Sequence, residues 1–362
     1  DRADLVENFD IIDSFVNEAL INVRLDTDIQ KAKDSALIFE AIVEDVDIKI
    51  QLLSKLKKQS KVNPYFFTNT SSIPISSLND GAGLDNRIVG YHFYNPPAVQ
   101  KLVELIVMPD TGNELVELSW EIGKRLKKKL IKSNDVAGFI GNGHFMRDLL
   151  YGIELARELS DDYQDFEAFY IINKVSQDLM LRPMGIFQLI DYVGVDVCRL
   201  ILKSMSGHLH DDSLHSGLLD RLLKLGVKGG QRSDGTQKDG FIKYEKNRPA
   251  GFYSLEKQQY CLLADGDWVE CCDTAIGPFP GDYIPWKVLL RDPKKDEKLK
   301  VYFGNLFGSM NFGSKLAKRY LENSRRIAHQ LVTGGIADTV ENVNGVLVNG
   351  FYHLYGPEND LF

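Results

Sequence analysis

One apolar run, residues 36–43, constrains the fold of this chain more than any other feature. It reads Ala-Leu-Ile-Phe-Glu-Ala-Ile-Val, with Asp34 and Ser35 before it and Glu44 and Asp45 after it. A near-continuous apolar stretch of this length is typical of a strand in a parallel sheet covered on both faces. The residues that follow have the apolar spacing of a helix. A strand leading directly into a helix predicts an α/β domain.

The remainder of the first 136 residues continues in the same way. Apolar spacing predicts a helix within the first 25 residues, with a short strand at 20–25. We predict further strands and a helix at 65–70, 87–94, 101–108 and 114–126. The basic run at the end of that helix is interpreted as a solvated helix end, because cations stabilise the C-terminal end of a helix dipole. A phosphate site is the alternative.

The pattern changes at Gly138, after which helical spacing dominates. Helices are predicted at 139–159, 166–180, 186–205, 297–306, 315–332 and 340–351. The stretch 207–308 contains many glycines and prolines, and its aromatic runs predict short strands at 241–244 and 260–263. The sequence therefore predicts an α/β domain followed by an all-α part.

Composition and charge exclude several classes of protein. The chain has 43 Lys and Arg against 51 Asp and Glu, a net charge of −8, which argues against a general nucleic-acid-binding protein. No apolar run approaches the roughly 18 residues of a membrane span. The four cysteines lack zinc-ligand spacing, and adjacent Cys271 and Cys272 are unsuited to a disulfide with each other. We expect a cytoplasmic protein with no metal, nucleic-acid or membrane partner.

The strongest local signal is Tyr91-His92-Phe93-Tyr94-Asn95-Pro96-Pro97, followed by Lys101-Leu102-Val103-Glu104. If the two strands form an antiparallel pair that turns around Ala98, His92 lies opposite Glu104, with Cβ atoms about 4.5–5.5 Å apart. A carboxylate beside an imidazole fixes its tautomer and raises its basicity, as a general base requires. A purely structural ion pair is the alternative, and spacing alone favours it.

Two polar segments are further candidates. The run Thr68-Asn69-Thr70-Ser71-Ser72 ends a predicted strand, where ligands bind in open α/β sheets. Asn142 lies in the first turn of a long helix at a predicted domain boundary, and clefts between domains are favoured ligand sites. Taken alone, each is better explained as an ordinary polar turn or helix start.

Together these segments resemble the NAD-dependent (S)-3-hydroxyacyl-CoA dehydrogenases of fatty-acid oxidation. The resemblance covers about residues 20–205 and includes the following matching segments: Phe39–Glu44, Asn69–Ser72, His92–Pro96, Lys101–Glu104, Gly138–Ile140 with Asn142, Arg182–Gly185 and Asp191–Gly194. A looser likeness continues through Gly240, Phe241 and Tyr244. Residues 324–357 look like a second copy of the helical C-terminal unit of the family.

The resemblance implies roles for individual residues. His92 matches the catalytic base and Glu104 its carboxylate partner. Ser71 and Asn142 match the polar residues that position substrate and nicotinamide. The resemblance also implies contacts with NAD for Ser71, Glu44, Lys49 and Asn95. Lys228 is a weaker match of the same kind.

The chain also departs from the family pattern. Ala137 stands where the family usually has proline, and Gly143 where it usually has arginine. The family opens with a strand, a glycine-rich turn and a helix, which this sequence lacks. Gly81 and Gly83 do not replace that turn, because they precede a predicted strand instead of a helix. We expect the whole protein to carry the missing segment before Asp1.

These observations lead to a specific domain plan. It consists of an incomplete Rossmann-type NAD-binding domain (1–136), a helical C-terminal domain for dimerisation and substrate binding (137–225), an irregular linking region (226–308) and a second helical unit (309–362). The expected activity is NAD-dependent oxidation of 3-hydroxyacyl-CoA to 3-oxoacyl-CoA. We expect a homodimer unless the second helical unit covers the pairing face. The alternatives are a non-catalytic relative without a dinucleotide site and a dehydrogenase of a small hydroxy acid.

Overall fold

A computed structural model describes residues 9–362, so the first eight residues of the predicted domain 1–136 lie outside the described residues. Within the described range, the N-terminal part contains a five-stranded sheet in the order β1-β2-β3-β4-β5. Its strands are β1 (Leu37–Glu40), β2 (Tyr65–Thr68), β3 (Ile88–Phe93), β4 (Leu102–Val107) and β5 (Lys129–Asn134). Neighbouring strands are parallel, except that β3 and β4 are antiparallel. The apolar run 36–43 thus contributes a strand to a largely parallel sheet, as predicted, but only Leu37–Glu40 are extended. The strand is buried on one face and not on both, because Ile38 and Glu40 are buried whereas Leu37 and Phe39 are exposed.

Helices accompany this sheet: α1 (Phe9–Ile21), α2 (Val46–Gln59), α3 (Ile75–Ala82) and α4 (Asn113–Arg125). The Asp45 carboxylate caps α2 by accepting a hydrogen bond from the Ile48 amide at 3.0 Å. The sequence analysis did not predict the short helix α3. It is stabilised from a distance, because the Asp135 carboxylate accepts hydrogen bonds from the amides of its first two residues.

In this part of the chain, one predicted strand is absent and one observed strand was not predicted. The predicted strand 20–25 does not form, since α1 ends at Ile21 without a paired strand after it. The basic run begins in the exposed last turn of α4, as predicted, and Lys127 then takes a left-handed φ of 55° and turns the chain into β5, a strand that was not predicted. The two apolar residues of β5, Leu130 and Ile131, lie between lysines, which hides its strand character in the sequence.

The second part of the chain is mainly helical. Its helices are α5 (Phe139–Glu158), α6 (Asp165–Lys174), α7 (Ile186–Val193), α8 (Val195–Leu209), α9 (Gly217–Lys224), α10 (Trp268–Ile276), α11 (Trp286–Leu289), α12 (Lys295–Gly308), α13 (Phe312–Thr333) and α14 (Val340–Gly350). The predicted helix 186–205 is divided into α7 and α8 because Gly194 has a φ of 107°, which helical residues do not adopt. The predicted helix 166–180 ends in a π-helical turn, Val175–Leu179.

A small antiparallel sheet lies within the predicted linking region. Its strands are β6 (Ile242–Glu245), β7 (Arg248–Ser254) and β8 (Gln259–Leu262). The buried Asp191 carboxylate of α7 accepts hydrogen bonds from the Phe241 and Ile242 amides at 2.7 and 2.8 Å. Gly240 is required beside it, because a Cβ there would lie 2.1 Å from Asp191 Oδ1. This contact joins the small sheet to the helical domain.

One continuous apolar core connects the predicted segments 137–225, 226–308 and 309–362, with Phe145, Phe241 and Tyr320 as examples of its members. Helices α13 and α14 pack directly on α5 of the same chain. Gly143 permits close approach, since a Cβ there would be 3.1 Å from Leu331 of α13. The second helical unit therefore covers α5 from within the chain. In residues 9–362, every helix is too short or too polar to cross a membrane.

Candidate active site

The antiparallel pairing of β3 with β4 places His92 directly opposite Glu104, as the sequence predicted. His92 Nδ1 lies 3.2 Å from Glu104 Oε2. Glu104 is fully buried, and its other oxygen, Oε1, accepts hydrogen bonds from the amides of Ile140 at 2.9 Å and Gly141 at 3.3 Å. These amides belong to the first turn of α5, where the helix dipole favours a negative charge. The carboxylate is thus anchored on one side and faces the imidazole on the other.

Tyr94 also binds this carboxylate, which the sequence analysis missed. Its hydroxyl donates to Glu104 Oε2 at 2.6 Å, and its ring centroid lies 4.8 Å from that of His92. Burial and the charge of Glu104 raise the pKa of Tyr94 well above its ordinary value, so the hydroxyl stays protonated and donates. The signal in the sequence was a tyrosine two residues after His92, because alternate residues of an extended chain share a face.

Glu44 holds the loop at the carboxyl end of β2. Its Oε1 accepts hydrogen bonds from the Thr70 hydroxyl at 2.7 Å, the Ser71 amide at 2.8 Å and the Ser72 amide at 3.1 Å. Burial raises the pKa of Glu44, but these bonds and the nearby Lys49 ammonium outweigh burial, so its pKa lies below the ordinary value. These hydrogen bonds to Glu44 Oε1 therefore hold Ser71 in position.

Lys49 is buried behind the same loop. Its ammonium lies 2.8 Å from Glu40 Oε1 and 3.5 Å from Glu44 Oε2. Glu40, which the sequence analysis did not single out, is buried and also accepts a hydrogen bond from the Thr68 hydroxyl at 2.5 Å. The charge of Lys49 is thus compensated inside the protein, and its side chain is 1% exposed. The contact of Lys49 with NAD that the resemblance implies stays a proposal, because these ion pairs account for the charge of Lys49 without the cofactor.

A cavity of about 560 Å³ lies between the sheet and the helices. The predicted site residues that line it are Ser71, His92, Asn95 and Asn142. The Asn142 amide donates to the Ser71 carbonyl at 2.8 Å, so α5 and the loop after β2 are joined at its wall. Glu104 supports His92 from outside this wall. Lys228 does not line this cavity. Its side chain is exposed on a loop, and its backbone carbonyl accepts a hydrogen bond from the Val195 amide.

The second helical unit supplies one side of the cavity, which the sequence analysis did not predict. The residues concerned lie at the end of α14 and just after it, and they are Leu347, Gly350, Phe351, Tyr352 and His353. Gln100, just before β4, donates to the Gly350 carbonyl at 3.1 Å and so fixes this segment against the sheet.

A buried polar group lines the same cavity. Arg182 and Asp148 form an ion pair of 2.8 Å, with both side chains almost inaccessible to solvent. His144 lies beside them on α5, and its Nε2 is 3.0 Å from the Ser324 hydroxyl. Burial is the main reason that the pKa of His144 falls to about 4. At neutral pH this imidazole is therefore uncharged.

Comparison with known proteins places these residues in a family. The family model for the NAD binding domain of 3-hydroxyacyl-CoA dehydrogenase matches residues 2–136, and the model for its C-terminal domain matches residues 138–239. A probable 3-hydroxybutyryl-CoA dehydrogenase of Deinococcus radiodurans is 34% identical over 223 residues, which cover 61% of this chain and 76% of the relative. The chain belongs to the 3-hydroxyacyl-CoA dehydrogenase family.

Other relatives agree with this assignment. The mitochondrial hydroxyacyl-coenzyme A dehydrogenase of Homo sapiens is 31% identical over 245 residues, which cover 66% of this chain and 74% of that protein. The solved structure of 3-hydroxybutyryl-CoA dehydrogenase from Escherichia coli K12 is 21% identical and has a TM-score of 0.64. That likeness covers 96% of this chain and 81% of the other, so the shared fold includes the terminal helices.

The family has an NAD-binding domain, and the residues of this cavity fit one end of that cofactor. Ser71 and Asn142 offer a hydroxyl and an amide beside His92, where the carboxamide of a nicotinamide needs both donors and acceptors. In the part of the chain that the structure describes, no glycine-rich turn leads from a strand into a helix. The residues that the chain shows thus fit the nicotinamide end of NAD.

Proposed function

We propose that the protein oxidises (S)-3-hydroxyacyl-CoA to 3-oxoacyl-CoA with NAD. The observation that carries the proposal is the pair formed by His92 and the buried Glu104, which faces a cavity lined by Ser71 and Asn142. A structural ion pair between two strands would not need a cavity in front of the imidazole. Membership of the dehydrogenase family supports the same reaction.

The arrangement defines the direction of proton transfer. Because His92 Nδ1 faces the carboxylate, the favoured neutral tautomer carries its proton on Nδ1 and leaves Nε2 free to accept. His92 Nε2 then takes the proton of the 3-hydroxyl group of the substrate. Glu104 stabilises the imidazolium that forms, and its own position is held by the amides of Ile140 and Gly141.

The chemistry that NAD supplies when bound is acceptance of the hydride from C3 of the substrate. Ser71 and Asn142 are proposed to orient the reacting groups, since the bond between Asn142 and the Ser71 carbonyl fixes their relative position. Apolar residues of α7 and α8 line the same cavity and exclude water from the acyl chain, with Ile186, Leu189 and Ile201 as examples.

The proposal is tested by NADH formation from NAD and (S)-3-hydroxybutyryl-CoA. We expect turnover with this substrate and none with the R enantiomer or with free 3-hydroxybutyrate. Turnover of the free acid alone would identify a small hydroxy-acid dehydrogenase instead. NAD binding in a calorimetric titration without any turnover, or no NAD binding, would favour a non-catalytic relative. His92→Gln serves as the inactive control.

Assembly and compartment are also proposals. Helices α13 and α14 cover α5 within the chain, which is the arrangement that the sequence analysis set against a homodimer, so we expect light scattering to show a monomer. A dimer would mean that another surface mediates pairing. The four cysteines are free thiols in the structure, which supports the proposed location in the reducing cytoplasm.

A further inference from the structure

We propose that Tyr94 is a positioning residue that weakens the hydrogen bond between Glu104 and His92, and thereby sets the pH range in which the base works. The inference rests on the proposed function, in which His92 accepts the substrate proton. It concerns a residue that touches the carboxylate and acts on the base through it.

The geometry shows that two donors share one oxygen. Glu104 Oε2 accepts the Tyr94 hydroxyl at 2.6 Å, whereas His92 Nδ1 lies at 3.2 Å from the same atom. A carboxylate oxygen that already accepts a short hydrogen bond is a poorer acceptor for a second donor. The amides on Oε1 keep the carboxylate in place when either donor is removed. Without the Tyr94 hydroxyl, His92 would have Oε2 to itself.

The contact between Tyr94 and Glu104 is built by several parts of the fold. A Cβ on Gly141 of α5 would lie 1.8 Å from the Tyr94 hydroxyl oxygen, so only glycine leaves room for the bond. A Cβ on Gly350 of α14 would lie 3.0 Å from the Tyr94 ring. The ring also packs edge-on against Phe351, with centroids 5.8 Å apart. The second helical unit thus keeps Tyr94 against the carboxylate.

The other titratable groups near His92 do not supply a competing charge. Besides Tyr94, the titratable groups that line the cavity with His92 are His144, Asp148, Arg182, Tyr192, Tyr352 and His353. Burial lowers the pKa of both other histidines, so they are uncharged near neutral pH. Arg182 and Asp148 compensate each other in their ion pair. Within residues 9–362, Glu104 is the carboxylate that makes an ion-pair contact with His92.

Tyr94→Phe tests the proposal because it removes the hydroxyl and keeps the ring. We expect the acid limb of kcat/KM for oxidation of (S)-3-hydroxybutyryl-CoA to move to higher pH by about half a unit. Well below the midpoint this is a rate about threefold lower. Tyr91→Phe is the matched control, since the buried Tyr91 hydroxyl donates to the Ser119 carbonyl, away from the dyad formed by His92 and Glu104. It should leave the profile unchanged.

An NMR titration of the His92 imidazole, without substrate or cofactor, gives a second measurement. The signal is assigned by its loss in His92→Gln, and we expect the midpoint to rise in Tyr94→Phe by the same amount as in the kinetic profile. No shift, or a shift to lower pH, would overturn the proposal. A wild-type protein without turnover would overturn the proposed function alone, because the NMR titration does not depend on activity.

Discussion

Replacing Glu104 with glutamine should inactivate the enzyme far more than it destabilises the fold. Both oxygens of Glu104 face donors: the amides of Ile140 and Gly141 on one side, Tyr94 and His92 on the other. A glutamine amide accepts with one atom only, so its NH₂ group must meet a pair of donors. The substitution therefore creates a conflict that no rotation of the side chain removes.

The losses of stability and of kcat depend on how the neighbouring groups relieve this conflict. Backbone amides cannot reorient, so the glutamine carbonyl is expected to face Ile140 and Gly141. The Tyr94 hydroxyl can then rotate to accept, and His92 can change tautomer to accept at Nδ1. Weakened charge-assisted bonds cost about 1–3 kcal/mol of folding free energy. The new tautomer, however, places a proton on Nε2, which must be free, so kcat should fall by roughly 10²–10⁴.

The assay compares acyl-CoA-dependent NADH formation and urea unfolding for Glu104→Gln, His92→Ala and the double variant. The double variant should be little slower than His92→Ala, because residues that act together are not additive. Glu117→Gln, on the exposed face of α4, is the control and should behave as the wild type. Near-normal turnover of His92→Ala would show that the base is wrongly assigned. Losses that multiply would show that the two residues do not act as a unit.

Other substitutions have equally defined outcomes. Gly141→Ala should displace the Tyr94 hydroxyl, which a Cβ would meet at 1.8 Å, and so shift the pH profile in the direction of Tyr94→Phe; an unshifted profile would contradict this. The pKa of His144 is about 4 in the folded protein and near 6.5 in the unfolded chain, so the unfolded state binds more protons between these values. The free energy of unfolding should therefore fall by about 3 kcal/mol as the pH drops from 6.5 to 4, and urea unfolding of His144→Gln should show a flatter pH dependence. Lys49→Met should lower the free energy of unfolding in urea by about 3–5 kcal/mol, because it leaves Glu40 buried without a counter-ion. An unchanged urea midpoint would refute the role of this ion pair.

Several elements could be predicted because their signals are local. The apolar run around Phe39 predicted β1, and the pairing around Ala98 predicted the register that joins His92 to Glu104. Both depend on residues that are near one another in the chain. The strand β5 escaped prediction because its two apolar residues, Leu130 and Ile131, lie between lysines, and α3 because it is stabilised by Asp135 from a distant part of the sequence.

By itself, the sequence determined the α/β start, the helical continuation, the dyad and the family resemblance. Tertiary structure alone decided what surrounds the dyad. The hydroxyl of Tyr94 reaches Glu104 because glycines from α5 and α14 leave it room, and Gln100 binds the Gly350 carbonyl across 250 residues of chain. Periodicity reports which face of an element is apolar, whereas packing determines which distant element covers that face. That is why the wall formed by the second helical unit became visible only in the folded protein.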